Sequence, residues 1–262
     1  MKTVSQRDSA FLAEMGIAPL WNLRAPPPAD IVDAVEEAAP PAPTEAAPVP
    51  APIAAEGVAQ EPGEPDITQM DWPALRAAIA SCTRCGACRP GARPVYGAGA
   101  ESAVWLVAAG ATSVADEEAN TPVAGDAGKL FDNMLAAAGH ARARDVYVTN
   151  LVKCRPASAN GGDRAPSADE VAACRPFLER ELALSGAGVL LTLGQVAANA
   201  MLGKPLQEPL AGARGQVHSV AGAAMVATLH PGELLRRGAD KALAWADLCR
   251  AMAAQPGDDA AA

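Results

Sequence analysis

Three cysteines fall within seven residues, Cys82, Cys85 and Cys88 in the run C-T-R-C-G-A-C, and two more, Cys154 and Cys174, stand alone further along the chain. A close C-x-x-C pair with two distant single cysteines suits four-thiolate ligation, either of a zinc ion or of a [4Fe–4S] cluster. Spacing and composition leave both metals open. The competing account is a set of buried thiols that only pack, as free cysteines often do. Basic neighbours argue for the metal: Arg84 lies inside the C-x-x-C pair, and Lys153 and Arg155 flank Cys154, where positive charge stabilises a thiolate. Cys249, on the apolar side of A-L-A-W-A-D-L-C-R-A-M, is expected in the core, and Cys88 is left open as a spare ligand beside the pair.

Ligands need a frame, and composition places it after residue 70. The 262 residues are 50% hydrophobic but only 3% aromatic, with a formal charge of −9. That charge argues at first against a polyanionic partner. It is unevenly placed, however: residues 1–70 hold eleven acids, three bases and twelve of the 23 prolines. Residues 25–70, rich in Ala, Pro and Glu without apolar periodicity, read as a disordered linker, and 254–262 as a disordered tail. Residues 1–24 carry a short amphipathic segment with Phe11, Leu12, Met15, Leu20 and Trp21. It either packs back on the domain or docks a protein partner. No apolar run approaches the ~18 residues of a membrane span, and the start lacks the apolar core of a signal peptide. The expectation is a cytoplasmic monomer, whose reducing surroundings suit metal-binding rather than disulfide-bonded cysteines.

Within 71–253 the pattern alternates. Trp72 to Ser81 reads as a helix with Trp72, Leu75, Ala78 and Ile79 on one face. Strands are expected at 104–108, 145–152, 189–193 and 224–229. Helices are expected at 129–138, from Ser167 onward, at 195–202 and at 240–252. Ser167 with Asp169 and Glu170 behind it has the form of a helix N-cap with acids in the first turn. Strands and helices alternating at this spacing imply parallel pairing through right-handed crossovers, an α/β domain. Function in such sheets sits on the loops after the strand C-termini, here 109–122, 150–156, Gly194 and 230–237.

Six segments, taken in order, are C-T-R-C at 82–85, G-D-A-G-K-L-F-D-N-M-L at 125–135, D-V-Y-V-T-N-L-V-K-C-R-P at 145–156, E-V-A-A-C-R-P-F-L-E-R-E at 170–181, L-T-L-G-Q-V-A-A-N-A-M-L-G at 191–203 and T-L-H-P-G-E-L-L-R at 228–236. Together they resemble the family 4, iron–sulfur uracil-DNA glycosylases over essentially all of 72–252. The resemblance implies a three-layer α/β/α fold with a central four-stranded parallel sheet. It also implies a [4Fe–4S] cluster held by Cys82, Cys85, Cys154 and Cys174, and base excision repair of DNA. In that chemistry a deoxyuridine is flipped out of the duplex and its N-glycosidic bond hydrolysed. Asn150 would read the uracil edge with its paired amide donor and acceptor, and His230 would donate to the developing uracilate oxygen. Ala109, Gly110 and Val123 would lie against the base, and Leu234, Leu235 and Arg236 would form a wedge-and-phosphate loop. His140 and His218 have no such context and are expected on the surface.

Two departures stand inside the resemblance. The family's first loop reads G-E-[AG]-P-G followed by acids, whereas here Val107 to Ser113 reads V-A-A-G-A-T-S, with Asp116, Glu117 and Glu118 following downstream. The family's aromatic after the proline is Val123 in Pro122-Val123-Ala124-Gly125. Three accounts follow: a glycosylase in which Asp116 or Glu117 supplies the carboxylate, a weakened or inactive glycosylase fold that binds DNA or a partner, and a zinc-stabilised α/β domain. Beyond residue 70 the bases number eighteen and the acids nineteen, so the acidic total belongs to the N-terminal stretch and does not veto DNA. Deleting residues 1–70 is expected to strengthen DNA binding at low salt in a titration against a labelled duplex. Unchanged or weaker binding would show that this charge is irrelevant or that the N-terminal segment is needed.

Overall fold

Trp105, Val107 and Ala109 alternate with Leu106 and Ala108 along one strand, and the two sets pack into different cores. That period of two fixes a sheet buried on both faces. The computed structural model of the chain describes residues 66–89 and 91–255; the 1–24 segment, the linker up to residue 65 and the tail from 256 lie outside these. The described strands are β1 (Ala98–Gly99), β2 (Trp105–Ala111), β3 (Val146–Val152), β4 (Val189–Leu193), β5 (Val217–Val220) and β6 (Ala223–Thr228). Their order in the sheet is β1-β3-β2-β4-β6-β5. β3, β2, β4 and β6 are mutually parallel, as expected for the centre, while β1 and β5 add an antiparallel strand at each edge. The central four-stranded parallel sheet is therefore present and is extended at its edges to a six-stranded, mixed one. β1 has two residues and β5 is half-exposed, so neither carries the apolar run by which a buried strand is recognised.

The helices are α1 (Trp72–Ala80), α2 (Val114–Ala119), α3 (Gly125–Ala137), α4 (Ala168–Ser185), α5 (Gln195–Met201), α6 (Pro231–Arg236) and α7 (Lys241–Ala253). Leu75 and Ile79 of α1, Phe177, Leu178 and Leu182 of α4 and Met201 of α5 cover one face of the sheet. Phe131 and Leu135 of α3 and Leu248 and Ala251 of α7 cover the other, completing three layers. Each fully buried Leu or Phe contributes about 1.5–3 kcal/mol. Ser167 caps α4 in a reciprocal box with Glu170, as its sequence implies. Ile67–Gln69 forms one 3-10 turn, and the Arg180 guanidinium of α4 donates to the Met70 carbonyl. Composition alone counts 66–70 with the linker, so a truncation that spares this contact stops at residue 65.

Three side chains sit elsewhere than expected. Cys249 is exposed on α7 because Ala244, Asp247, Leu248 and Ala251 form that helix's buried face. His140 packs its ring on Trp105, 4.2 Å between centroids, and bonds Asp145 at 2.8 Å. The His218 ring lies 2.8 Å from the Ala213 carbonyl and is half-buried.

Candidate active site

Parallel pairing brings the C-terminal ends of β2, β3, β4 and β6 to one edge, and β2–β3 register sets Ala109 beside Asn150. Asn150 is 1% exposed, and its amide is fixed by what surrounds it. Nδ2 donates to Thr112 Oγ1 and to Asp116 Oδ2, both at 3.1 Å. The Thr112 hydroxyl donates to the Lys153 carbonyl at 2.8 Å, so its oxygen is the acceptor for Asn150. A carboxylate also only accepts, so both neighbours require the NH2 on this side. Among the described residues, Asn150 Oδ1 is left buried without a hydrogen-bond partner. The side-by-side donor and acceptor expected of this amide is reduced to an acceptor alone. An unpaired buried acceptor costs about 1–3 kcal/mol, which a ligand N–H recovers.

Asp116 reaches Asn150 because β2 runs on to Ala111 and α2 begins at Val114. Ala109 and Gly110 accordingly lie in the strand and not in a loop. Ser113 and Asp116 form a reciprocal capping box, with Ser113 N donating to Asp116 Oδ2 at 3.0 Å. The S-x-x-D spacing before a helical stretch was the available signal for it. The second oxygen, Oδ1, accepts from Ala124 N at 2.7 Å.

His230 follows β6 and caps α6. Its Nδ1 accepts the Gly232 main-chain N–H at 3.1 Å, which leaves the ring proton on Nε2. Burial holds the ring below the usual imidazole range, with Glu233 and Asp116 raising it and Arg236 lowering it. At neutral pH His230 is thus a neutral imidazole with one fixed donor.

Val123, where the resemblance places an aromatic, is buried and has φ of +52°, a conformation that β-branched residues avoid. Its surroundings enforce it. The Arg142 guanidinium donates to the Pro122 carbonyl at 2.7 Å and the Val123 carbonyl at 2.9 Å, while Asp116 takes the Ala124 N–H. Gly128 lets the Val123 carbonyl approach: a Cβ there would lie 2.3 Å from that oxygen. Gly128→Ala is therefore expected to destabilise the protein by about 1–3 kcal/mol in thermal melts. An unstrained helical glycine would give the opposite sign.

The proposed wedge residues separate. Leu234 is 1% exposed and packs inward beside α3 and α7, whereas Leu235 is 50% exposed and Arg236 is exposed on the outer face of α6. One helical position decides this, since adjacent residues point about 100° apart.

The cysteine centre lies between α1, the end of β3 and α4. Cys88 Sγ is 3.4 Å from Cys85 Sγ, 3.8 Å from Cys82 Sγ and 3.7 Å from Cys154 Sγ. No disulfide joins them. Cys174 is buried in the same core cluster, and burial pushes its thiol up to about 11, the Cys85 and Cys82 thiols adding to the rise. Burial also raises Cys88 and Cys154. Crowded, desolvated thiols with no disulfide are soft donors that a thiophilic metal would deprotonate and hold, and the cleft of about 290 Å³ lined by Cys82, Cys88 and Cys154 gives one access. The donor set fits. Beside it, Lys153 Nζ is buried between Glu181 Oε2 at 2.6 Å and Thr149 Oγ1 at 2.7 Å.

Residues 97–249 match the family described as the Uracil DNA glycosylase superfamily. A type-4 uracil-DNA glycosylase of Pyrobaculum aerophilum is 30% identical over 177 residues, 65% of this chain and 87% of that protein. One from Archaeoglobus fulgidus is 36% identical over 120 residues, 46% of this chain and 58% of the relative. One from Thermotoga maritima is 32% identical over 123 residues, 46% of this chain and 60% of the relative. The aligned stretch thus spans most of the first protein and little more than half of the other two.

Proposed function

This chain belongs to the uracil-DNA glycosylase superfamily, and on that premise we propose that it hydrolyses the N-glycosidic bond of deoxyuridine in DNA. The observation that carries the proposal is the pairing of an unsatisfied buried acceptor, Asn150 Oδ1, with a fixed neutral donor, His230 Nε2–H, at the strand C-termini of one sheet. Uracil presents the complement. Its N3–H donates to Asn150, and the carbonyl oxygen O2, which gains negative charge as the bond breaks, accepts from His230. Cytosine carries a lone pair at N3, which would face the Asn150 oxygen lone pair, so it is repelled. As the C1′–N1 bond breaks, uracil leaves with the electron pair, water oxygen bonds C1′, and one water proton is released. A donor aimed at the developing charge is worth about 3–4 kcal/mol in a dry site.

On the DNA side, Leu235 supplies the apolar side chain entering the stack and Arg236 the phosphate contact, while Leu234 anchors the helix that presents them. Incubating the chain with a uracil-containing duplex, then cleaving abasic sites with alkali, tests the activity. Scission supports it; duplex binding without scission at equimolar protein would instead establish the binding-only reading that the V-A-A-G-A-T-S sequence favours.

For the cysteine centre the proposed occupant is a [4Fe–4S] cluster held by Cys82, Cys85, Cys154 and Cys174. Bound there, it would tie the 82–88 loop, the end of β3 and α4 together as a soft-metal crosslink. Cys88 lies closest to the other thiols, yet it belongs to the same short loop as Cys82 and Cys85 and ties in no further element. The expected result is that Cys174→Ser purifies without the metal while Cys88→Ser keeps a full complement of about four irons and a band near 400 nm. Iron retained in Cys174→Ser would reassign the fourth ligand, and colourless zinc-loaded protein would replace the cluster.

A further inference from the structure

We propose that Asp116 is the positioning carboxylate of this site, brought in from the first turn of α2, and that it acts by holding the Asn150 amide and the Val123–Ala124 turn in their working arrangement. The inference rests on the glycosylase reading above and names a residue that reading does not need. A capping box requires only that Asp116 reach the Ser113 N–H, and on a surface helix the rest of the carboxylate would face water. Here the side chain belongs to a residue 4% exposed, and it does more. Oδ2 accepts from Asn150 Nδ2 at 3.1 Å as well as from Ser113 N at 3.0 Å, and Oδ1 accepts from Ala124 N at 2.7 Å. These donors come from the helix cap three residues before, from the strained turn eight residues after, and from β3, 34 residues further along the chain. All are neutral N–H groups, so the buried negative charge is held by geometry, not by an ion-pair partner among them.

The consequence for Asn150 is specific. An amide can present either its oxygen or its NH2 to a ligand, and a carboxylate behind it permits only one choice. With Asp116 and Thr112 both accepting, the NH2 is turned away and Oδ1 alone is offered. Replacing the carboxylate by a carboxamide puts a possible donor opposite Nδ2 and removes that choice. Misplacement of a positioned group by about 1 Å costs roughly 10²-fold in rate. His230 is faced by the same charge, together with Glu233 and Arg236, so Asp116 also bears on the ring's protonation.

The test compares wild type, Asp116→Asn, Asn150→Ala, the double variant and Ser113→Ala in single-turnover uracil release, with melting curves for each. Asp116→Asn is expected to lose roughly 10²-fold, and the double variant to be no slower than Asn150→Ala alone, because one residue acts through the other. Ser113→Ala, which loosens only the cap, is expected to melt lower at an undiminished rate. The Asn150 side-chain amide protons should exchange slowly in wild type and in Ser113→Ala, and rapidly in Asp116→Asn. An Asp116→Asn rate equal to wild type, multiplying losses in the double variant, or a Ser113→Ala rate as low as that of Asp116→Asn overturns the proposal. Rapid exchange of the Asn150 amide in wild type overturns it even if no Asp116 variant folds. Absence of uracil release from wild type would instead remove the glycosylase reading beneath it.

Discussion

His230→Asn is expected to lower uracil release by roughly 10²–10³-fold while melting close to wild type. The separation follows from the two jobs this ring performs. Nδ1 caps α6 by accepting the Gly232 N–H, a task an asparagine oxygen also performs well. In the proposed chemistry Nε2–H is the donor for the leaving base, and the shorter asparagine side chain does not reach to its place. His230→Ala loses both functions and should be less stable by about 1 kcal/mol as well as slow. The pH dependence has a definite sign. Burial keeps the folded ring below the value of about 6.5 expected in the unfolded chain, so above that pH both states are neutral there. As pH falls below it, the unfolded chain takes the proton first, and wild type loses stability relative to His230→Asn. Equal rates in wild type and His230→Asn would remove His230 from the chemistry; equal acid sensitivity of their melting temperatures would remove the buried neutral ring.

Glu181→Gln is expected to destabilise the protein by about 3–5 kcal/mol, because it strands the Lys153 ammonium in the core. Lys153 and Glu181 are 1% and 2% exposed at their side chains, 2.6 Å apart, with Thr149 and Tyr147 as the remaining partners. For a fold of this size that is a fall of roughly 6–20 °C in Tm. Lys153→Met combined with Glu181→Leu removes both charges together and should recover most of the loss, since apolar replacement of a buried pair is often neutral. A Glu181→Gln melting curve within a degree or two of wild type would show that the ammonium finds solvent. The effect extends beyond stability: Lys153 directly precedes Cys154 and Glu181 lies on α4, so this pair holds the end of β3 against α4 beside the cysteines.

The central architecture was legible from runs such as V-L-L-T-L and D-V-Y-V-T-N-L-V, because parallel strands buried on both faces must be continuously apolar. The edge strands carry no such signature. Ala98–Gly99 is too short, and Val217–Val220 faces solvent on alternate residues. Asn150 and His230 stand at strand ends, where sequence order alone puts function, but the state of each is a tertiary fact. The acceptor-only amide of Asn150 depends on Thr112 and Asp116, and the tautomer of His230 depends on the Gly232 amide. Leu234 and Leu235 are indistinguishable as letters, and only helix phase decides which one faces out. The positive φ of Val123 was illegible for a similar reason, since Arg142, 19 residues on, and the bare surface of Gly128 in the adjoining helix impose it.

The most direct test of the whole account is uracil release by the full chain from a duplex with a single deoxyuridine, alongside the same duplex with deoxycytidine at that position. An acceptor-only Asn150 and a neutral His230 donor predict alkali-labile scission at the uracil strand and none at the cytosine strand. No scission of either strand at equimolar protein, or scission of both, would contradict it.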